Sequence, residues 1–188
     1  MEIIDKEGFE RRRYRLIDEM KAGKLFIYPT DTIYGIGCDA TNPKAVGRIR
    51  VLKKREENPF SVIAPSIEWI MSNCDVRRPQ KEWIEKLPGP YTFILKLSNK
   101  AAVSKFVNRN LDTVGVRIPS NWFAGVVAEA GIPFVTTSAN LAGKPFMTSM
   151  SNLSPTIKEG VDYIVDVGEM KNKPSKVIDL ASGNTVRE

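Results

Sequence analysis

Short apolar runs alternating with amphipathic helical stretches constrain this chain more than any other feature, because that alternation belongs to α/β architectures. Residues 7–22 place Phe9, Arg13, Leu16, Ile17 and Met20 at three-to-four spacing, which predicts an amphipathic helix closed by Gly23. Residues 24–29 form an apolar run of strand length, and Asn42-Pro43 then supplies an N-cap and a first-turn proline. The helix that follows carries Ala45, Ile49 and Leu52 on one stripe. Further strands are predicted at 60–64, 91–97, 114–118, 134–137, 163–167 and 177–180, with helical stretches around Trp69 and at 80–87, 121–130 and 154–160. No internal repeat or linker interrupts them, so residues 1–188 read as a single α/β domain with a mixed sheet. Residues 182–188 read as a trailing end.

Composition narrows the chemistry. The 188 residues include no histidine, which removes every Ser-His-Asp or Cys-His relay and the H-E-x-x-H zinc site. Cys38 and Cys74 are too few for a Cys-rich metal site. They read as buried thiols of a cytoplasmic protein, with one disulfide as the alternative. Lys and Arg number 28 against 22 Asp and Glu, a net charge of +6 that favours polyanions such as nucleotides or RNA. The first residues, MEIIDKEGFERRRYRL, have no long apolar core behind their charges, and no run approaches the roughly 20 apolar residues of a membrane helix. A soluble protein without membrane contact is expected.

Four segments carry candidate chemistry. The PTDTIYG run at 29–35 follows a strand and offers Thr30, Thr32 and Tyr34 to a small polar ligand, or else is a turn held by local Thr and Asp hydrogen bonds. The overlapping G-x-G-x-x-A at 35–40 lacks the strand-glycine-helix context of a dinucleotide fingerprint. Lys53 and Arg55 end a helix, where they are either a solvated basic face or a phosphate clamp. Ser138 and Asn140 lie in TTSAN at 136–140, able to donate to phosphate oxygens or to open a turn. Arg117 interrupts an apolar strand and needs an anionic partner if it is buried.

In order, PTDTIYG, the K-x-R of Lys53 and Arg55, Pro59, PGPYTFIL at 88–95, TVGVRIP at 113–119, TTSAN and SKVIDL at 175–180 resemble the YrdC-like family. That resemblance implies a twisted open mixed sheet with flanking helices around a basic cavity. It implies threonylcarbamoyl-AMP synthase activity, a nucleotidyl transfer in which L-threonine, bicarbonate and ATP give threonylcarbamoyl-AMP and pyrophosphate. Mg²⁺ would accompany ATP, and a downstream tRNA-modifying transferase complex would use the adenylate on tRNA.

By the same motif matching, Lys53 and Arg55 are the catalytic charges. Lys53, Arg55, Thr113, Ser138, Asn140 and Arg187 would bind ATP. Thr30, Tyr34, Arg117 and Ser175 would bind threonine or its carbamate, with Ser175 also lining the nucleotide cavity. The chain departs from the family pattern at Glu56, where proline is common, at Phe146-Met147-Thr148, where Ser-Pro-Thr is common, and at Lys176, where threonine is usual. The rival readings are a YciO-like paralogue and a non-catalytic module for tRNA or double-stranded RNA.

Overall fold

The structure, a computed structural model, describes residues 1–182 and 184–187, the last four by their backbone alone. Its strands are β1 (Glu2–Ile4), β2 (Phe26–Tyr28), β3 (Gly35–Gly37), β4 (Ser61–Ile63), β5 (Tyr91–Lys96), β6 (Thr113–Arg117), β7 (Phe134–Ser138), β8 (Tyr163–Val165), β9 (Lys176–Asp179) and β10 (Asn184–Arg187). The helices are α1 (Lys6–Arg11), α2 (Arg13–Lys21), α3 (Pro43–Lys53), α4 (Ile67–Asn73), α5 (Arg78–Ile84), α6 (Lys105–Asn108), α7 (Trp122–Ala130) and α8 (Pro155–Gly160). One ten-stranded sheet runs β1-β8-β2-β3-β7-β4-β6-β5-β9-β10. It is mixed: β4 pairs parallel with β6, while β5 pairs antiparallel with β6. Among the described residues, no helix is long and apolar enough to cross a membrane.

The two faces of the sheet are covered differently. One face packs Val62, Phe93, Val114, Val116, Val135 and Ile178 against α3, α4, α5, α6 and α8, through Ala45, Ile70, Ile84, Val107 and Ile157. The other face packs Phe26, Tyr28, Ile63, Phe134 and Val165 against Phe9, Leu16, Met20 and Phe123 of α1, α2 and α7. That second cluster ends with β4 and β7. Over β6, β5 and β9 the same face carries small and polar residues with Ile94 and Val177 instead, and there a cavity opens.

Besides β1 and α6, which fall where no element was expected, three details depart from the sequence reading. The stretch at 7–22 is two helices, because Arg12 leaves helical geometry (φ −119°). Its side chain bonds back to Gly8 O at 3.2 Å and pairs with Glu2 of β1. Second, Gly35–Gly37 is a strand whose glycines serve close packing. A Cβ on Gly37 would stand 1.9 Å from Val135 O, so only glycine lets β3 lie against β7 there. Third, the expected trailing end contains β10, antiparallel to β9. The Asp179 carboxylate holds the turn between them, accepting from Ala181 N at 2.9 Å, Ser182 N at 3.0 Å and Ser182 Oγ at 2.6 Å.

Candidate active site

Strand alternation builds the cavity floor. Side chains two residues apart share a face, and one row crosses the sheet by register: Asp179 beside Ile94, Ile94 beside Gly115, Gly115 beside Ser61, and Ser61 beside Thr136. All five line a cavity of about 470 Å³, together with Thr92, Thr113, Arg117, Ser138 and Val177 from the same face. Loops supply the walls, with Thr30, Thr32 and Tyr34 on one side, Arg55 and Phe60 on another, and Phe146 and Ser175 beyond. Gly115 keeps the floor flat, since a Cβ there would meet Ser61 Oγ at 2.4 Å.

The 29–35 loop is held by local hydrogen bonds and also borders the cavity. Thr30 Oγ1 accepts from Thr32 N at 3.0 Å and Ile33 N at 3.2 Å, closing a local turn. The same turn sets Thr30 and Thr32 into the cavity wall. Arg117 is buried and meets its anion in Asp31, with Nη2 donating to Oδ1 at 2.5 Å. Its Nη1 reaches Thr32 Oγ1 at 3.4 Å. Ser120 N holds the other oxygen of Asp31 at 3.0 Å. Tyr34 lends its ring to the wall, while its hydroxyl donates to Gly168 O at 2.8 Å and accepts from Val167 N at 2.9 Å. Burial pushes the Tyr34 phenol up to about 12, so it stays protonated. Across the floor, the Thr92 and Ser175 hydroxyls share a 2.9 Å hydrogen bond.

Another part of the lining is set by the C-terminus of α3. Asn42 caps the helix start by accepting from Lys44 N and Ala45 N, and Lys54 ends it in the left-handed region at φ 51°. The reversal at Lys54 carries Arg55 into the cavity wall. There Arg55 Nη2 donates to Pro59 O at 2.9 Å, Nη1 reaches Thr137 Oγ1 only at 3.4 Å, and the guanidinium sits 5.4 Å from the Phe60 ring centroid. Its Nε is buried with no hydrogen-bond partner among the described residues. Ser138 Oγ donates to Asn140 Oδ1, and Asn140 Nδ2 bonds Lys144 O at 2.6 Å.

Thr30, Tyr34, Arg55, Thr113, Arg117, Ser138, Asn140 and Ser175 thus meet in one cavity. Lys53 stands apart. It is 1% exposed, and its ammonium donates to the backbone carbonyls of Ser138 and Asn140, the latter at 2.6 Å, behind the wall rather than in it. Burial first, and the nearby Arg55 charge second, bring Lys53 down to about 7. The Arg187 side chain lies outside the described residues.

Thr92, Ser61 and Asp179 also line the cavity; their signal is the period-two alternation of TFIL, SVI and VID. Cys38 and Cys74 are free and buried, and burial pushes both thiols up, away from nucleophilic chemistry.

Comparison with known proteins places this geometry. The family described as telomere recombination, which joins Sua5, YciO and YrdC, matches residues 18–188. A threonylcarbamoyl-AMP synthase of Vibrio campbellii is 30% identical over 182 residues, covering 93% of this chain and 97% of that protein. P. abyssi Sua5 complexed with L-threonine is 31% identical with a TM-score of 0.81 over 96% of this chain. The chain spans 54% of that Sua5 protein, about half its length. E. coli YciO aligns with a TM-score of 0.85 at 27% identity, over 100% of this chain and 94% of its own. With the family match running through every cavity-forming strand, the chain belongs to the Sua5/YciO/YrdC family.

Proposed function

We propose that the protein is a threonylcarbamoyl-AMP synthase, making this adenylate and pyrophosphate from L-threonine, bicarbonate and ATP. The observation that carries the reading is the convergence of two differently equipped groups of residues in one cavity. One group is buried Arg117 with the Thr32 hydroxyl beside Thr30; the other is Arg55 near Thr137, with Ser138 and Asn140 lining the same cavity. The first suits a carboxylate bearing a small hydroxylated side chain, and the second suits a phosphate chain. P. abyssi Sua5, of the same family, is solved with L-threonine.

The threonine amine and bicarbonate combine to a carbamate with loss of water. A carbamate oxygen then attacks the α-phosphorus of ATP, the Pα–O bond to the β-phosphate breaks, and pyrophosphate leaves. Such a transfer needs alignment and charge neutralisation rather than a covalent nucleophile, in keeping with a chain that has no histidine. Arg55 has donors to spare for the triphosphate. Ser138, Asn140 and Thr113 orient the nucleotide, while Tyr34 and Ser175 close the threonine end. Lys53 serves ATP by fixing the carbonyls beneath Ser138 and Asn140.

Mg²⁺ enters with ATP. Asp179 is the one carboxylate among the described lining residues, and it already accepts from Ala181 N and Ser182 Oγ, so Mg²⁺ bound with ATP would neutralise triphosphate charge with Asp179 as the one protein carboxylate on hand. The product goes to a separate transferase acting on tRNA, in the cytoplasm.

A YciO-like role is the second reading, favoured by the alignment over 94% of that protein. Purified protein with ATP, threonine and bicarbonate decides between them. Pyrophosphate release should need all three substrates, and mass spectrometry should find the mixed carbamoyl adenylate. Release indifferent to threonine or bicarbonate refutes the synthase. Salt-sensitive tRNA binding without any adenylate would favour the RNA module. Arg55→Ala should lower kcat/KM for ATP by about 10²–10³-fold at unchanged melting temperature, the effect of one preorganised charge contact.

A further inference from the structure

Arg50 is a buried charge that the cavity does not use. It lies on α3, 6% exposed, and it forms no ion pair among the described residues. Its guanidinium instead donates to five backbone carbonyls. Nε takes Phe106 O at 2.7 Å and Nη2 takes Val107 O at 3.2 Å. Nη1 takes the carbonyls of Arg55 at 3.0 Å, Glu56 at 3.2 Å and Asn58 at 3.1 Å. The group also stacks on Phe60, 4.4 Å from its ring centroid.

Three of those carbonyls belong to the segment that carries Arg55. Residues 55–59 have no regular secondary structure, and residues 56–59 are exposed. A charge buried without a carboxylate partner costs stability unless hydrogen bonds satisfy it. Here one planar fork bonds several carbonyls that converge on it, which an ammonium cannot reproduce with the same reach. Phe60 then has Arg50 and Arg55 both packed on its ring.

We propose that Arg50 is a positioning residue for the reaction, wrapping the 55–58 backbone around its guanidinium and so fixing the Arg55 guanidinium at the phosphate end of the cavity. The inference rests on the reading of Arg55 as a triphosphate contact. It predicts energetic coupling between Arg50 and Arg55, because Arg50 acts only through where it holds Arg55.

The test is a double-mutant cycle on the full chain, with kinetics and ATP binding by calorimetry for wild type, Arg50→Lys, Arg55→Ala and the double variant. Arg50→Lys should lower kcat/KM for ATP and ATP affinity by about tenfold or more, as displacement of a catalytic group by about an ångström does, and leave KM for threonine unchanged. In the Arg55→Ala background the same substitution should change ATP affinity less than about twofold. Should Arg50→Lys melt below the assay temperature, Arg50→Gln, which keeps an amide donor for the carbonyls, takes its place in the cycle.

An equal loss of ATP affinity in both backgrounds overturns the inference and leaves Arg50 a stabilising residue only. Wild-type behaviour of both Arg50 variants overturns it as well. Wild-type behaviour of Arg55→Ala refutes the phosphate role of Arg55, and the inference falls with it.

Discussion

Lys53 fits the motif, yet its ammonium is spent on the backbone carbonyls of Ser138 and Asn140 rather than lining the cavity. The K-x-R spacing singled out the right helix end, but only the three-dimensional path of 138–140 places two carbonyls over the ammonium. No pattern in the sequence announces a lysine that serves backbone carbonyls. Its burial has a consequence for pH. Burial brings Lys53 from its ordinary 10.5 down to about 7 in the folded protein, so between these values the unfolded chain binds the extra proton. Stability therefore rises with pH across that window, by about 1.4 kcal/mol per unit at most, and is flat with respect to this group below it. The raised Cys and Tyr groups act the opposite way only above their unfolded values of 9.0 and 10.0. Denaturant midpoints at pH 6.5 to 8.5 should show wild type gaining on Lys53→Met as pH rises. Parallel profiles would mean that Lys53 is charged throughout.

At the scale of elements, the cavity exists because β4, β5, β6, β7 and β9 turn one face to the core and set Ser61, Thr92, Thr113, Gly115, Thr136 and Asp179, with Ile94 and Val177, on the other. Val62, Phe93, Val114, Val116, Val135 and Ile178 point into the core. Most strands and helices were legible from apolar runs and caps, such as Asn42-Pro43 and Gly131, which ends α7 at φ 69°. β1, β3 and β10 were not, because three- and four-residue strands lack enough periods to distinguish from loops. Gly37 tests the β3–β7 contact. A methyl group there meets the Val135 carbonyl, a backbone atom that cannot rotate away, so Gly37→Ala should destabilise the protein by about 2–3 kcal/mol. Chemical denaturation measures it. A loss below about 0.5 kcal/mol would show that β3 can move off β7, and the loop 29–35 with it.

For the molecule as a whole, the cavity replaces packing on half of one sheet face, so its occupants complete the fold where side chains do not. The net charge of +6 said little about this, because Arg117 is matched by Asp31 and, among the described residues, the cavity lining sets two arginines against one carboxylate. What matters is where each ligand finds its charge. Ligand bound only to the folded state stabilises it by about 2.7 kcal/mol at a hundredfold excess over Kd. For a domain near this size, that corresponds to a rise of about 5–10 °C in melting temperature. MgATP and threonine should each raise Tm in this way through different residues of the cavity. Arg55→Ala should abolish most of the ATP shift and spare the threonine shift, and Arg117→Ala should do the reverse, because the two guanidiniums have different partners, Asp31 and Thr32 for Arg117 and Pro59 and Thr137 for Arg55. Loss of both shifts in either variant would mean that the two groups do not bind separately, and that substrate order or a shared conformational change governs the site.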